Sequence, residues 1–173
     1  MLKKSNILLT GKPGSGKTTA IRKVVDQLNP NSTAGFWSRE IREEGQRVGF
    51  AIETLSGRVG TLAHVNRKNG PKVSKYRVNI TDIDSIVVPE LKKARKSGRF
   101  IIIDEIAKME LFSNKFADEV RRCLDTKRVI GTIQDRKLPF LDEVRTRTDV
   151  TLLELTISNR NRIPMQVLRL LGT

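Results

Sequence analysis

Between residues 11 and 18 the chain reads GKPGSGKT, and both flanks restrict what this stretch can be. Before it stands the apolar run Ile7-Leu8-Leu9; after it, Ile21, Val24, Val25 and Leu28 recur at the period of one helical stripe. A strand, a glycine-rich turn and an amphipathic helix are therefore predicted in immediate succession. Glycines at 11, 14 and 16 permit a turn in which successive N–H groups point inward, at the positive end of the helix dipole. Such a concavity holds phosphate oxygens. The stretch is a full match to G-x-x-x-x-G-K-[ST], the Walker A pattern, and makes Gly11, Lys12, Pro13, Gly14, Ser15, Gly16, Lys17, Thr18 and Thr19 the predicted nucleotide contacts. Lys17 is expected to reach the β- and γ-phosphates. The Thr18 hydroxyl is a candidate ligand of Mg²⁺, an ion that demands an octahedral shell of oxygens completed by water and phosphate.

A second constraint lies at residues 101–111, IIIDEIAKMEL. Phe100 to Ile103 form an apolar run suited to a strand buried on both faces, as in a parallel sheet covered by helices. The carboxylates that end it are costly to bury without a cation or a partner. Taken alone, the run fits two solvated acids just past a strand equally well. Beside a phosphate-binding loop it reads as a Walker B strand, with Asp104 as the metal carboxylate and Glu105 as the base for an attacking water.

The remaining pattern predicts an α/β chain. From about residue 33 to 65, Val48, Phe50 and Ile52 alternate with Gly49, Ala51 and Glu53, and EEGQ at 43–46 and LSGR at 55–58 read as hairpin turns. An inserted meander of two or three antiparallel strands is expected there, followed by a mobile polar loop, NRKNGPKVSKYRVNI. Helix and strand then alternate through a helix ending at Gly98, RFIII, a helix over 114–124, RVIGTI, PFLDEVRTR, VTLLEL and RIPMQVLRLL. The predicted architecture is a single domain over 1–173, a mainly parallel sheet flanked by helices with the meander inserted.

At 173 residues, 38% hydrophobic and 30% charged, the composition is that of a globular chain with a charged surface. No apolar run approaches the length of a bilayer span, so no membrane partner is expected and a cytoplasmic location is. Cys123 is the sole cysteine, excluding an internal disulfide, and its neighbours Phe116, Val120 and Leu124 mark it as a core thiol. His64 reads as a surface or satisfied histidine. Lys plus Arg number 33 against 19 Asp plus Glu, a formal charge of +14 that suits polyanions, nucleic acid among them. The basic residues are scattered, however, and aromatics are only 5%, leaving few platforms for base stacking.

GKPGSGKTT, GFWSREIREEGQRVGF, VSKYRVN, IIIDEIAKMELFS and TDVTLLELTISNRNRIP together resemble, in order and spacing, the small THEP-type nucleoside-triphosphatase family, which includes the cancer-related NTPases of animals. The likeness runs over essentially the whole chain, and DEIAKMEL and TISNRNR are its more specific parts. It implies a P-loop fold of the RecA-like kind and Mg²⁺-dependent hydrolysis of many nucleoside triphosphates. Matched position by position, it supports Gly11 to Thr18 for phosphate and metal and Asp104 and Glu105 for metal and water. Lys108 and Glu110 are further matches without a derivable role. The chain departs from the family in carrying Ala107 where glycine is usual, and QDRKLP where many members have a histidine-containing loop.

Other residues enter as candidates. Arg39, Lys108, Arg145 and Arg160 are possible phosphate or transition-state contacts, with Arg147 and Arg162 further candidates for an arginine finger in cis. Thr132, closing the strand after Walker B, is either a polar sensor of the water or an ordinary strand-end threonine. The leading expectation is hydrolysis of ATP, GTP, CTP and UTP by a monomer, with Glu105 and Lys17 catalytic. The alternative is a kinase that transfers the γ-phosphoryl to a nucleotide or nucleic-acid hydroxyl, with the basic loop from Lys68 to Arg77 at the acceptor site. A nucleotide switch is a third class, but NKFAD lacks the N-K-x-D spacing that reads guanine.

Overall fold

The computed structural model describes residues 5–173. Its strands are β1 (Asn6–Thr10), β2 (Thr33–Glu43), β3 (Gln46–Thr54), β4 (Val59–His64), β5 (Lys72–Val73), β6 (Tyr76–Val78), β7 (Phe100–Ile106), β8 (Val129–Ile133) and β9 (Val150–Glu154). They join in one sheet of order β5-β6-β4-β3-β2-β7-β8-β1-β9. The helices are α1 (Lys17–Val25), α2 (Ile80–Asp82), α3 (Val88–Lys96), α4 (Asn114–Asp125), α5 (Pro139–Arg145) and α6 (Ile163–Leu171), with a π-type turn, Ile83–Val87, linking α2 to α3.

The three isoleucines of β7 show why this sheet needs helices on both sides. Successive side chains of a strand point to opposite faces. Ile101 and Ile103 accordingly pack with Leu91 of α3 and Phe116 and Val120 of α4, whereas Ile102 packs with Ile21 and Val24 of α1 and Val167 of α6. Phe116 is fully buried, and its replacement by alanine is expected to cost about 3–5 kcal/mol. Its helix is started by Ser113, whose hydroxyl accepts from the Phe116 N–H at 3.0 Å. Close pairing of β2 on β7 depends on Gly35: a Cβ there would stand 2.0 Å from the Ile102 carbonyl oxygen.

β2, β7, β8, β1 and β9 are mutually parallel, so their carboxyl ends meet along one edge. Open α/β sheets bind ligands at that edge. β2 continues beyond it. Its first residues pair with β7, while from Phe36 to Glu43 it also pairs antiparallel with β3. The hairpin turns expected at 43–46 and 55–58 are present, the first through Glu44 and Gly45, both at positive φ.

Two expectations are corrected. The antiparallel part does not stop near 65, and the polar stretch after it is not a loop: β5 and β6 form a small hairpin whose β6 pairs with β4. The reason is the alternation of Tyr76 and Val78, both buried against the core, with lysines and arginines that hid the period. The helical segment that ends at Gly98, expected from Ile86, Leu91 and Ala94, also begins earlier, at Ile80, where the Asn79 side chain accepts from the Asp82 N–H. Cys123 is buried as expected; burial and the nearby Glu119 charge push its thiol up to about 12, out of nucleophilic range. No helix among the described residues is long and apolar enough to cross a membrane.

Candidate active site

The turn between β1 and α1 has the backbone its glycines require. Gly14 and Gly16 lie at φ +76° and +100°, and Gly16 caps α1 without any side chain bonding to the helix's first N–H groups. Those donors and the helix dipole face the same concavity. Lys17 Nζ donates to the carbonyls of Gly11 at 2.9 Å and Lys12 at 3.1 Å, so the ammonium sits within the curve of the loop. Ser15 Oγ is buried with no protein partner.

Across the edge, β7 delivers Asp104 directly to this loop. The Thr18 hydroxyl donates to both Asp104 carboxylate oxygens, at 3.0 and 3.1 Å, and Thr132 Oγ1, from the end of β8, donates to one of them at 3.1 Å. Thr132 thus holds the carboxylate. Burial pushes the Asp104 carboxyl above its ordinary range, against the hydrogen bonds from Thr18, Thr132 and the Ser38 backbone. Glu105 follows it, pushed up to about 7 by burial and by the Asp104 charge, with Lys17 pulling the other way. Glu110, in the 3₁₀ turn after β7, is held well above the carboxylate range by burial and by the charges of Glu105 and Asp104. Its Oε2 is buried without a hydrogen-bond partner.

Burial and mutual repulsion disfavour the ionised forms of these three carboxyls, and a bound cation would reverse that, although among the described residues the three do not themselves converge into a metal-holding cluster. The Thr18 hydroxyl and Asp104 carboxylate supply only oxygen, the donor type of a small hard divalent ion, and they already converge. These residues fit Mg²⁺.

The segment after β9 closes the other side. Leu155 N–H donates to Thr10 O at 2.8 Å, and a Cβ on Gly11 would lie 2.4 Å from the Leu155 carbonyl oxygen. Asn159 organises the turn that follows: its Oδ1 accepts from the Thr156 N–H at 2.8 Å and its Nδ2 donates to Glu154 O at 2.9 Å. Arg160, exposed, is thereby brought beside the P-loop, its Cδ 3.9 Å from the position a Cβ would take on Gly16. Composition had offered no reason to single out Asn159; the signal was its asparagine just past a strand, a residue that bonds its own turn.

Three of the other arginine candidates are engaged elsewhere. Arg39 forms an ion pair with Glu53 across β2 and β3. Arg145 donates to the carbonyls of Gln134 and Arg136 and pairs with Asp142, stapling the loop after β8. Arg147 bridges Asp125 and Asp149. Arg162 is exposed at the start of α6. The Lys108 backbone N–H donates to Gln134 Oε1 at 3.0 Å, so QDRKLP supports the segment after β7.

A family model described as NTPase matches residues 6–168. The chain belongs to this NTPase family. Among its relatives are the nucleoside-triphosphatase THEP1 of Thermotoga sp. (strain RQ2), 42% identical over 95% of this chain and 94% of that protein, and the human cancer-related nucleoside-triphosphatase, 37% identical over 91% and 92%. The crystal structure of THEP1 from Aquifex aeolicus superposes with a TM-score of 0.89 at 36% identity, covering 97% of this chain and 99% of that one. The solution structure of the human cancer-related nucleoside triphosphatase gives 0.82 at 35%, covering 96% and 97%. The NTPase-family fold is thus shared over nearly all of the chain, and Ala107 is accommodated, buried, where the chain bends after Ile106.

Proposed function

We propose that this chain hydrolyses nucleoside triphosphates to diphosphate and phosphate, dependent on Mg²⁺ and with little discrimination among bases. The observation that carries the reading is the meeting of Thr18 and Asp104 beside the P-loop, with Glu105 next along β7.

The α1 N–H groups and Lys17 bind and orient the β- and γ-phosphates. Thr18 and Asp104 would hold Mg²⁺, which when bound supplies charge neutralisation of the phosphate oxygens. Thr132 fixes the Asp104 carboxylate in the orientation that Thr18 shares. Glu105, partly solvent-accessible and drawn toward neutrality in its proton affinity, holds a water by its carboxylate and takes up its proton as the water attacks the γ-phosphorus. Arg160, along the loop at Gly16, supplies a further cation for the charge spreading over the γ-oxygens. Binding energy here comes mainly from phosphates, and strong discrimination among bases needs buried hydrogen-bond readout that the sequence does not signal.

The test is incubation with γ-labelled ATP, GTP, CTP and UTP, with Mg²⁺ or with excess EDTA, in the presence and absence of nucleosides and RNA ends. Label in free phosphate, lost with EDTA, and kcat/KM values within about two orders of magnitude across bases are expected. Label carried on an acceptor would establish the kinase instead, and a base preference of about 10⁴ or more would reveal a specific pocket.

A further inference from the structure

The two faces of the sheet are not covered alike. On the face of α3 and α4 the apolar core extends through β3, β4 and β6, taking in Ile52, Leu62, Ala63, Tyr76 and Val78. On the face of α1 and α6 the core stops at Trp37 and Leu55, and no residue of β4, β5 or β6 belongs to it. Beyond Trp37, whose ring stacks under Arg22 at 4.9 Å, the antiparallel extension therefore presents a sheet face without a helix.

Register fixes what stands there. Directly opposed residues share a face, and Lys72 on β5 opposes Arg77 on β6, which opposes His64 on β4, which opposes Gly49 on β3. Adjacent strands are about 4.8 Å apart, so Lys72, Arg77 and His64 form a line of roughly 10 Å. Two like charges directly opposite destabilise a sheet pair, and nothing acidic offsets them: from Val65 to Thr81 the chain has no Asp or Glu but carries Arg67, Lys68, Lys72, Lys75 and Arg77. His64 Nδ1 accepts from the Asn66 N–H at 3.1 Å, so the neutral ring carries its proton on Nε2, while Arg77 Nη1 donates to Gly70 O at 3.0 Å and keeps its other N–H groups for a ligand. The neighbouring carboxylate on this face, Glu53, is taken by Arg39. At Gly49 the row dips, since a Cβ there would meet the His64 ring at 2.7 Å.

We propose that this face binds the sugar-phosphate backbone of a single-stranded nucleic acid, with Lys72, Arg77 and His64 as its central row. The occupant is chosen by charge complementarity: a line of donors one residue wide, on a protein of net charge +14, matches one line of phosphates. A duplex presents two backbones across a groove about 12 Å wide, which one such row does not span.

The experiment is fluorescence anisotropy of a labelled single-stranded oligonucleotide over a range of salt. The double substitution Lys72→Glu, Arg77→Glu should weaken binding about tenfold or more near 0.1 M salt and make the log–log salt slope shallower by about 1.4, two phosphate contacts' worth. Phosphate release from ATP should be unchanged. Lys92→Glu, Lys93→Glu, on the exposed side of α3, makes the same change in net charge and should leave affinity within about twofold. Should the reversed β-hairpin fail to fold by circular dichroism, Lys72→Gln, Arg77→Gln carries the same test with the slope as readout. Equal loss in the α3 control, no binding by the parent chain, or a duplex bound as tightly as the single strand each overturns the proposal.

Discussion

Thr18 and Asp104 stand 86 residues apart and meet at the carboxyl edge of the sheet, the threonine Oγ1 donating to both oxygens of the carboxylate. One residue comes from the first turn of α1 and the other from β7, two strands away from β1 in the sheet. The contact joins the phosphate-binding half of the site to its acidic half.

That junction predicts how its members fail. Asp104→Asn keeps the shape and the hydrogen bond from Thr132 but removes the charge, so Mg²⁺-dependent nucleotide affinity and turnover should fall together. Thr18→Val removes the hydroxyl that shares the metal and should do the same. Calorimetric titration of ATP with and without Mg²⁺, beside a turnover rate, checks both; an Asp104→Asn protein with parental Mg²⁺-dependent affinity would remove Asp104 from the metal site.

Glu105 should part company with its neighbour. If it holds and deprotonates the water, Glu105→Gln should leave ATP affinity near the parent value while the single-turnover rate drops by roughly 10²- to 10⁴-fold. The amide nearly preserves shape, so basicity is the main loss. Parental rates where chemistry limits would transfer the role to Glu110.

The sequence carried the site's ends better than its middle. GKPGSGKT and IIIDE each announce themselves because their chemistry demands consecutive residues: a turn that exposes successive N–H groups, and a buried strand ending in acid. The parallel core was legible for the same reason, in short apolar runs between helical stripes. β5 and β6 were not, since two- and three-residue strands rich in lysine and arginine have too little length to show a period, and only Tyr76 and Val78 betray the buried side. Arginine roles were illegible on principle. Arg39, Arg145, Arg147 and Arg160 are equivalent in sequence, and only tertiary contacts send three of them to ion pairs or carbonyls and lay the fourth along Gly16.

This division of the arginines is itself testable. Arg160→Ala should lower kcat by about 10³-fold, the lower end for a finger, with melting temperature little changed. Arg145→Ala should spare kcat more but release the carbonyls of Gln134 and Arg136, costing about 1 kcal/mol and lowering the melting temperature by roughly 2–4 °C. Thermal melts and initial rates on both variants decide the matter; the reverse pattern would make Arg145 the transition-state cation and Arg160 a structural residue.

Glu110 offers a prediction in which stability, and not turnover, is the readout. Its carboxyl is buried, one oxygen lacks a partner, and the charges of Glu105 and Asp104 add to the cost of ionising it. Its folded pKa therefore lies above the unfolded value of about 4.5, and the folded state binds more protons than the unfolded state in the interval between them. Stability contributed by this group is fully present below the unfolded value and is lost as pH rises toward the folded one. Glu110→Gln imitates the protonated acid at every pH. Urea unfolding of the two proteins should give nearly equal stabilities near pH 4, with the glutamine variant progressively the more stable as pH rises to 8. A difference that is constant over that range, or that favours the parent chain at pH 8, would mean that Glu110 is ionised in the folded protein and balanced by a cation, and would place it among the groups that hold the metal.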